Sequence, residues 1–138
     1  MKVFLDANVL VSVLNKEYPL FPHSARIVSL ADNLSYQLFT TPICLAIAFY
    51  FAEKKSGAGL AKRKMEILSS KLHIASVDSV VVSRAVSDPS VVDFEDGLEY
   101  YSALLHDCQA IITEDSEGFY FSEIPVFGCR KFLDEVVF

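Results

Sequence analysis

The sequence predicts a three-layer α/β/α domain built on a central, mostly parallel sheet of four to five strands. Short apolar runs of strand length stop at acids, as in Met1 to Asn8 (MKVFLDAN) and Gln109 to Asp115 (QAIITED). Helical stretches alternate with such runs, the order that places parallel strands in one sheet covered by helices on both faces. The chain has 138 residues, 52% of them hydrophobic, with no repeat, linker or low-complexity tract, which fits one domain over residues 1–138.

Val3 to Leu5 reads as the first strand, followed by an acid-containing turn and a helix through Val9 to Leu14. Pro19 and Pro22 break the chain, and apolar residues at 25, 27, 28, 30 and 31 predict a helix over Ser24 to Asp32. Ser35 to Phe39 is the second strand. Thr41 and Pro42 form an N-cap and N1 pair that opens a helix through Phe51, so apolar that burial on most of its sides is expected. Gly57 and Gly59 divide it from a helix over Leu60 to Leu72, the two making a helical hairpin. His73 to Val77 supplies a third strand, Asp78 caps a helix to Ala85, and Asp88 with Pro89 marks a turn. Asp93 caps a helix from Phe94 to about His106, with Asp96 completing an acidic capping box. Ala110 to Thr113 and Ile124 to Phe127 are the last strands, and Arg130 to Val136 closes the chain as a helix.

Composition removes several function classes. No apolar run is long enough to cross a bilayer, and the start, MKVFLD, lacks the apolar core of a secretory signal, so the chain reads as cytoplasmic with no membrane partner. Cys44, Cys108 and Cys129 are odd in number and show no CxxC spacing, against a disulfide framework or structural zinc; they are expected to be small buried hydrophobes. His23, His73 and His106 are isolated from them and from each other. A net charge of −6 disfavours nucleic-acid binding through bulk electrostatics. Locally, Lys54, Lys55, Lys62, Arg63 and Lys64 make a basic cluster that is either a solvated helix face or a track for a phosphate backbone.

The acids at element ends carry most of the chemistry. Singly, Asp6 explains itself as a helix cap, Asp93 and Glu95 as complements to a helix dipole, and Asp115 as the cap of a turn. If the first strand and the strand at Ala110 are neighbours, however, Asp6 and Asp115 leave their carboxyl ends into one crevice, where open α/β sheets bind ligands. Acids converging there, with the Glu95 and Asp96 pair beside them, repel one another unless a cation intervenes. Hard oxygen donors without His or Cys select Mg²⁺ or Mn²⁺.

These same residues resemble the PIN domain family, which includes the VapC ribonuclease toxins. VFLDANVLVSVL resembles the family's opening strand and first acid, DFEDGLEYYSALLHDCQAIITED the run with its later acids, and SEIPVFGCRKFL its last strand and helix. The second segment is close to DFEDAIQYYSA, the motif of one prokaryotic subgroup. The resemblance implies Asp6, Asp96 and Asp115 as metal ligands with Glu95 beside them, Asn8 and Thr113 as supporting hydrogen-bonding residues, and Mg²⁺-dependent hydrolysis of single-stranded RNA by a toxin with an antitoxin partner. In one place the chain departs from the family: the helix after the second strand, TPICLAIAFYF, has no carboxylate, and Ile47 or a neighbour stands where a Glu is expected. Glu53, the next acid on that helix, lies about one and a half turns farther on.

The readings are therefore a metal-dependent ribonuclease, a weak or inactive PIN-like module that binds RNA or protein, and, with less support, a phosphatase using Asp6 as nucleophile. Phe49, Tyr50 and Phe51 in succession cannot all face one core. Homodimerisation is the simplest outcome for them, with antitoxin docking or cover by the final helix as the alternatives.

Overall fold

Val3, Phe4 and Leu5 are fully buried, so neither face of β1 (Lys2–Leu5) meets water, as befits a central parallel strand. The computed structural model describes residues 1–138. After β1 come α1 (Ala7–Leu14), α2 (Phe21–Ser29), β2 (Gln37–Thr40), α3 (Pro42–Ser56), α4 (Ala58–Ser70) and β3 (His73–Ile74). The second half adds α5 (Ser79–Ser87), α6 (Phe94–Leu105), β4 (Ala110–Ile112), β5 (Val126–Phe127) and α7 (Cys129–Phe132), which runs into a π-helical turn over Leu133–Val137.

All five strands are parallel, in the order β3-β2-β1-β4-β5, and helices flank the sheet. Phe4 is in register with Phe39 of β2 on one side and with Ile111 of β4 on the other. The chain builds outward from β1 through β2 to β3, then crosses back to lay β4 and β5 on the opposite side. That reversal puts a switch point between β1 and β4, with both carboxyl ends opening on the same edge. Beneath it, a continuous apolar core joins β1, β2 and β4 to α1, α3 and α7 through side chains such as Phe4, Ile111, Leu10, Cys44 and Phe132.

Element identities follow the sequence expectation, and the differences have physical causes. Pro22 does not break the chain; it stands in the first turn of α2, where an N–H has no intrahelical partner to lose. The third strand shrinks to His73–Ile74, an exposed edge beside β2. The closing helix starts at Cys129 and loosens into π geometry after Phe132.

The larger correction concerns α3. It runs on to Ser56, and its buried side is only the seam Cys44, Ala48 and Ala52, one residue per turn, rather than most of its surface. These small residues let α3 lie close against α1 and α4, while Tyr50 (54% exposed) and Phe51 (45% exposed) point outward, uncovered by the final helix. Gly57, at φ 82°, both ends α3 and starts α4, a left-handed backbone that suits glycine. The hairpin is fastened to α1 by two of its lysines. Lys55 donates to the Asn15 carbonyl, and Lys64 donates to the Leu14 carbonyl at 3.0 Å and to Ser56 Oγ at 3.3 Å. They thereby satisfy carbonyls left open at the end of α1.

Thr41 is fully buried, and its Oγ1 accepts the Cys44 N–H at 3.1 Å, fixing where α3 begins. Thr41→Val keeps the shape and strands that N–H, so it should lower stability by about 1–2 kcal/mol. Urea unfolding reads this as a lower midpoint at unchanged slope; an unmoved midpoint would remove the cap from the account.

Candidate functional site

Asp6 is the first residue after β1, and its backbone N–H donates to the Ile112 carbonyl of β4 at 3.0 Å, holding the two strand ends together. As N-cap of α1 it accepts the Ala7 N–H on Oδ1 at 2.6 Å. Its other oxygen accepts the Thr113 hydroxyl at 2.7 Å and, more weakly, the Asn8 amide at 3.4 Å. Thr113 Oγ1 in turn accepts Asn8 Nδ2 at 3.1 Å and the Asp115 N–H at 3.0 Å, while Asn8 Oδ1 accepts the Glu114 N–H at 3.1 Å. The β1/α1 junction and the chain after β4 are thus tied through one buried hydroxyl, and the capping of α1 by Asp6 coexists with its place in the pocket.

Over this network opens a pocket of about 440 Å³. Asp6, Glu17, Asp93, Glu95, Asp96 and Asp115 line it, with Asn8, Ala7, Val11, Ile47 and Phe51, and no Lys, Arg or His is among the lining residues. All four candidate acids of the sequence therefore meet in one place, with Asn8 on the wall and Thr113 buried behind it. Ile47 forms part of the α3 wall, as its position on the acid-free helix implies. The basic cluster lies elsewhere: none of Lys54, Lys55, Lys62, Arg63 and Lys64 lines the pocket. Lys54 sits over the Tyr50 ring at 5.0 Å, and Lys62 and Arg63 are exposed on α4.

Asp96 is set by two elements. Asp93 caps α6 by accepting the Asp96 N–H at 3.2 Å, which starts the helix with Asp96 in its first turn. The 3₁₀ turn Ser116–Phe119 then brings Gly118 against the carboxylate. A methyl group there would stand 2.5 Å from Asp96 Oδ2, so the Asp96 carboxylate would have to shift, whereas Asp115 Oδ2 at 3.6 Å would meet it at ordinary contact distance.

With no base nearby, the charges press on one another. The Asp96 carboxyl is pushed up to about 7, by partial burial first and then by Asp93, Asp6, Glu95 and Asp115. Glu95 is raised as well, by partial burial, Asp93 and Asp6.

Sequence reasoning did not name Glu17 or Asp93 as site residues, though both line the pocket, and it missed a buried acid altogether. Glu99, on α6, is 0% exposed and sits below the pocket lining. Its Oε1 accepts the Cys44 thiol of α3 at 3.2 Å, whereas Oε2 is buried with no hydrogen-bond partner. A Glu99 oxygen, an Asp6 oxygen and Cys44 Sγ lie within 4.8 Å of one another, as do oxygens of Glu95, Asp96 and Glu99. Burial above all, then Cys44 and Asp6, raises its carboxyl well above the usual range. The signal was present: Glu99 follows Asp96 by three residues and Glu95 by four, the spacing of one helix face. All three cysteines are buried and free, as expected, and burial raises the Cys44 thiol, which keeps it a neutral donor. A cluster of oxygens suited to a divalent cation results.

A family model described as PIN domain matches residues 2–117. Ribonuclease VapC1 of Aquifex aeolicus (strain VF5) is 24% identical over 140 residues, spanning 96% of this chain and 94% of that protein. Among solved structures, VapBC2 of Rickettsia felis, bound to a DNA fragment from its promoter, superposes with a TM-score of 0.68 at 18% identity, covering 92% of this chain and 97% of that one. VapC20 of Mycobacterium tuberculosis, described as a sarcin-ricin loop cleaving toxin, gives 0.66 at 15% identity, covering 85% and 92%. VapBC-1 of nontypeable Haemophilus influenzae gives 0.68 at 15%, covering 94% and 99%. At these identities the structural likeness bears on the fold.

The raised acids imply a pH effect. Unfolded, Asp96 loses its proton near 3.8, but folded it keeps it to about 7. Between those values the folded chain binds more protons, so stability falls as pH rises through the window and then levels. Denaturation in chelator should show wild type less stable at pH 8 than at pH 5, with Asp96→Asn flattening part of that slope and Glu95 and Glu99 keeping the remainder. Parallel profiles for the two proteins would refute the effect.

Proposed function

The chain belongs to the PIN domain family, and on that footing we propose that it is a Mg²⁺- or Mn²⁺-dependent endoribonuclease that hydrolyses phosphodiester bonds in single-stranded RNA. The observation that carries this reading is the meeting of Asp6, Asp96 and Asp115 at the β1/β4 switch point with no basic side chain among the lining residues. The resemblance to a ribonuclease over nearly the whole chain supports it.

The donor set suits a hard divalent cation: carboxylate oxygens, a neutral Thr113 and Asn8 behind them, and an orphaned buried oxygen on Glu99. Asp6, Asp96 and Asp115 hold the ion, with Glu95 at the pocket mouth. When bound, such an ion polarises water and phosphate and offsets charge on the leaving oxygen. The chain itself supplies orientation. Thr113 and the Ala7 N–H fix both oxygens of Asp6, and Gly118 leaves room for Asp96 at the required place. With a cation held there the pocket would be less negative, which would let a chain of net charge −6 approach RNA at this point. Lys54, Lys62 and Arg63, whose side chains are exposed, are the members of the basic cluster available to guide a backbone toward the site.

The biological setting proposed is the cytoplasm, as the toxin of a toxin-antitoxin pair, consistent with the VapBC assemblies whose fold it shares. Tyr50 and Phe51 on α3 offer an exposed aromatic surface for a homodimer contact or for the antitoxin. Ile47 on the pocket wall favours a second reading, a PIN-like module that binds RNA or protein with little or no cleavage.

Incubation of single-stranded RNAs with Mg²⁺, Mn²⁺ or EDTA separates these readings. Cleavage is expected only with metal and is expected to vanish in Asp6→Asn and Asp96→Asn; persistence in EDTA would end the metal-site reading, and inert wild type would favour the binding module. Gly118→Ala should cut the rate on the order of 10²-fold by displacing Asp96, with little change in thermal unfolding.

A further inference from the structure

Glu99 is the one acid of the cluster that the pocket does not expose, and it lies where a carboxylate is hardest to keep. It is fully buried, one of its oxygens has no partner, and no Lys or Arg is bonded to it. Burying a polar oxygen unpaired costs free energy that a protein ordinarily recovers with a hydrogen bond. Here the groups at hand are Cys44, whose thiol already donates to the other oxygen, and the carboxylates of Asp6, Glu95 and Asp96. A structural acid in a core would be expected to find a donor. Oxygens of Glu99 lie instead within 4.8 Å of oxygens of Asp6, Glu95 and Asp96, an all-carboxylate surrounding in which only a retained proton shared with Asp6 or a bound cation relieves the repulsion.

The α3 side of the pocket adds a second reason. Ile47 lines that wall, and α3 carries no carboxylate from Pro42 to Ala52. Besides Asp6, the buried carboxylate nearest the pocket comes from α6, as Glu99 one helical turn beyond Asp96.

We propose that Glu99 is a fourth carboxylate ligand of the cation, reaching it from beneath the pocket on α6 in place of an acid on α3. Cys44 serves as its positioning residue, fixing one oxygen by hydrogen bonding and leaving the other for the ion. This rests on the cation-dependent reading of the site, and the test separates the two.

Mn²⁺ binding to metal-free wild type and to Glu99→Gln is measured by titration calorimetry. Gln preserves the shape, can accept from Cys44 and can donate to Asp6, so a Glu99 that stays neutral and structural predicts equal affinity, and a crystallographic arm separates ligation from the loss of a nearby charge. A ligand predicts binding weaker by about ten- to a hundredfold. Equal affinities would overturn the Glu99 assignment alone, whereas wild type that binds no Mn²⁺ would overturn it together with the cation reading. An anomalous difference map from wild-type crystals grown with Mn²⁺ decides between ligation and nearby charge, and it stands even if Glu99→Gln fails to fold. A Glu99 oxygen within about 2.0–2.3 Å of the peak supports the proposal, and a peak without one refutes it.

Discussion

Like charges crowded into one crevice are the constraint on which the rest of this structure depends. Asp6, Asp96, Asp115 and Glu95 share a pocket lined by no basic side chain, and Glu99 is buried just below it. A fold does not bring carboxylates together for stability, since each raises the cost of ionising the next. The upward pressure on Asp96 and Glu95 records that cost. What offsets it within the chain is a set of neutral donors, and those donors are spent on Asp6: the Ala7 N–H, the Thr113 hydroxyl and the Asn8 amide. The α6 acids receive far less, so the site is anchored on β1 and left electrostatically open toward α6.

That asymmetry follows from topology. Asp6 leaves a strand whose residues are wholly buried and whose neighbours on both sides are parallel, so its backbone has almost no freedom. Thr113 leaves β4 one residue past the sheet and reaches across to Asp6, which makes the switch point a bonded junction rather than a gap. The α6 acids arrive differently, on a helix start that Asp93 caps and that Gly118 admits from the far side. Two independent elements must agree before Asp96 takes its place. Glycine at 118 is a requirement of close approach rather than of backbone angle, because no positive φ is involved there.

Much of this was legible in the residues. The alternation of apolar runs and capped helices led to an α/β sheet, and MKVFLDAN with QAIITED placed Asp6 and Asp115 on one edge. Three things were not legible, each for a physical reason. The burial of α3 was overread because its apolar composition does not say which residues form the seam; the small ones do, and the aromatics flank it. The basic cluster looked like a unit in sequence, yet Lys55 and Lys64 turn inward to the end of α1, a contact between residues some 40 and 50 positions apart that no local pattern encodes. Glu99 was passed over because Asp93, Glu95 and Asp96 already accounted for an acidic helix start. An acid among Leu98, Tyr100, Ser102 and Ala103 is nonetheless out of place on a buried face unless something there needs its charge.

The proposed use of Glu99 in place of an α3 acid also changes what the site's geometry would depend on. A carboxylate on α3 would be positioned relative to Asp96 through the packing of two helices, and any shift between them would move it. Glu99 and Asp96 instead share one helix and lie one turn apart, a spacing set by backbone hydrogen bonds. The α3 contribution falls to Cys44, a neutral donor fixed by the buried Thr41 cap, so movement of α3 changes a hydrogen bond to the site rather than the spacing of its charges. The wall at Ile47 is then free to be apolar, and Val11 and Phe51 line the pocket with it.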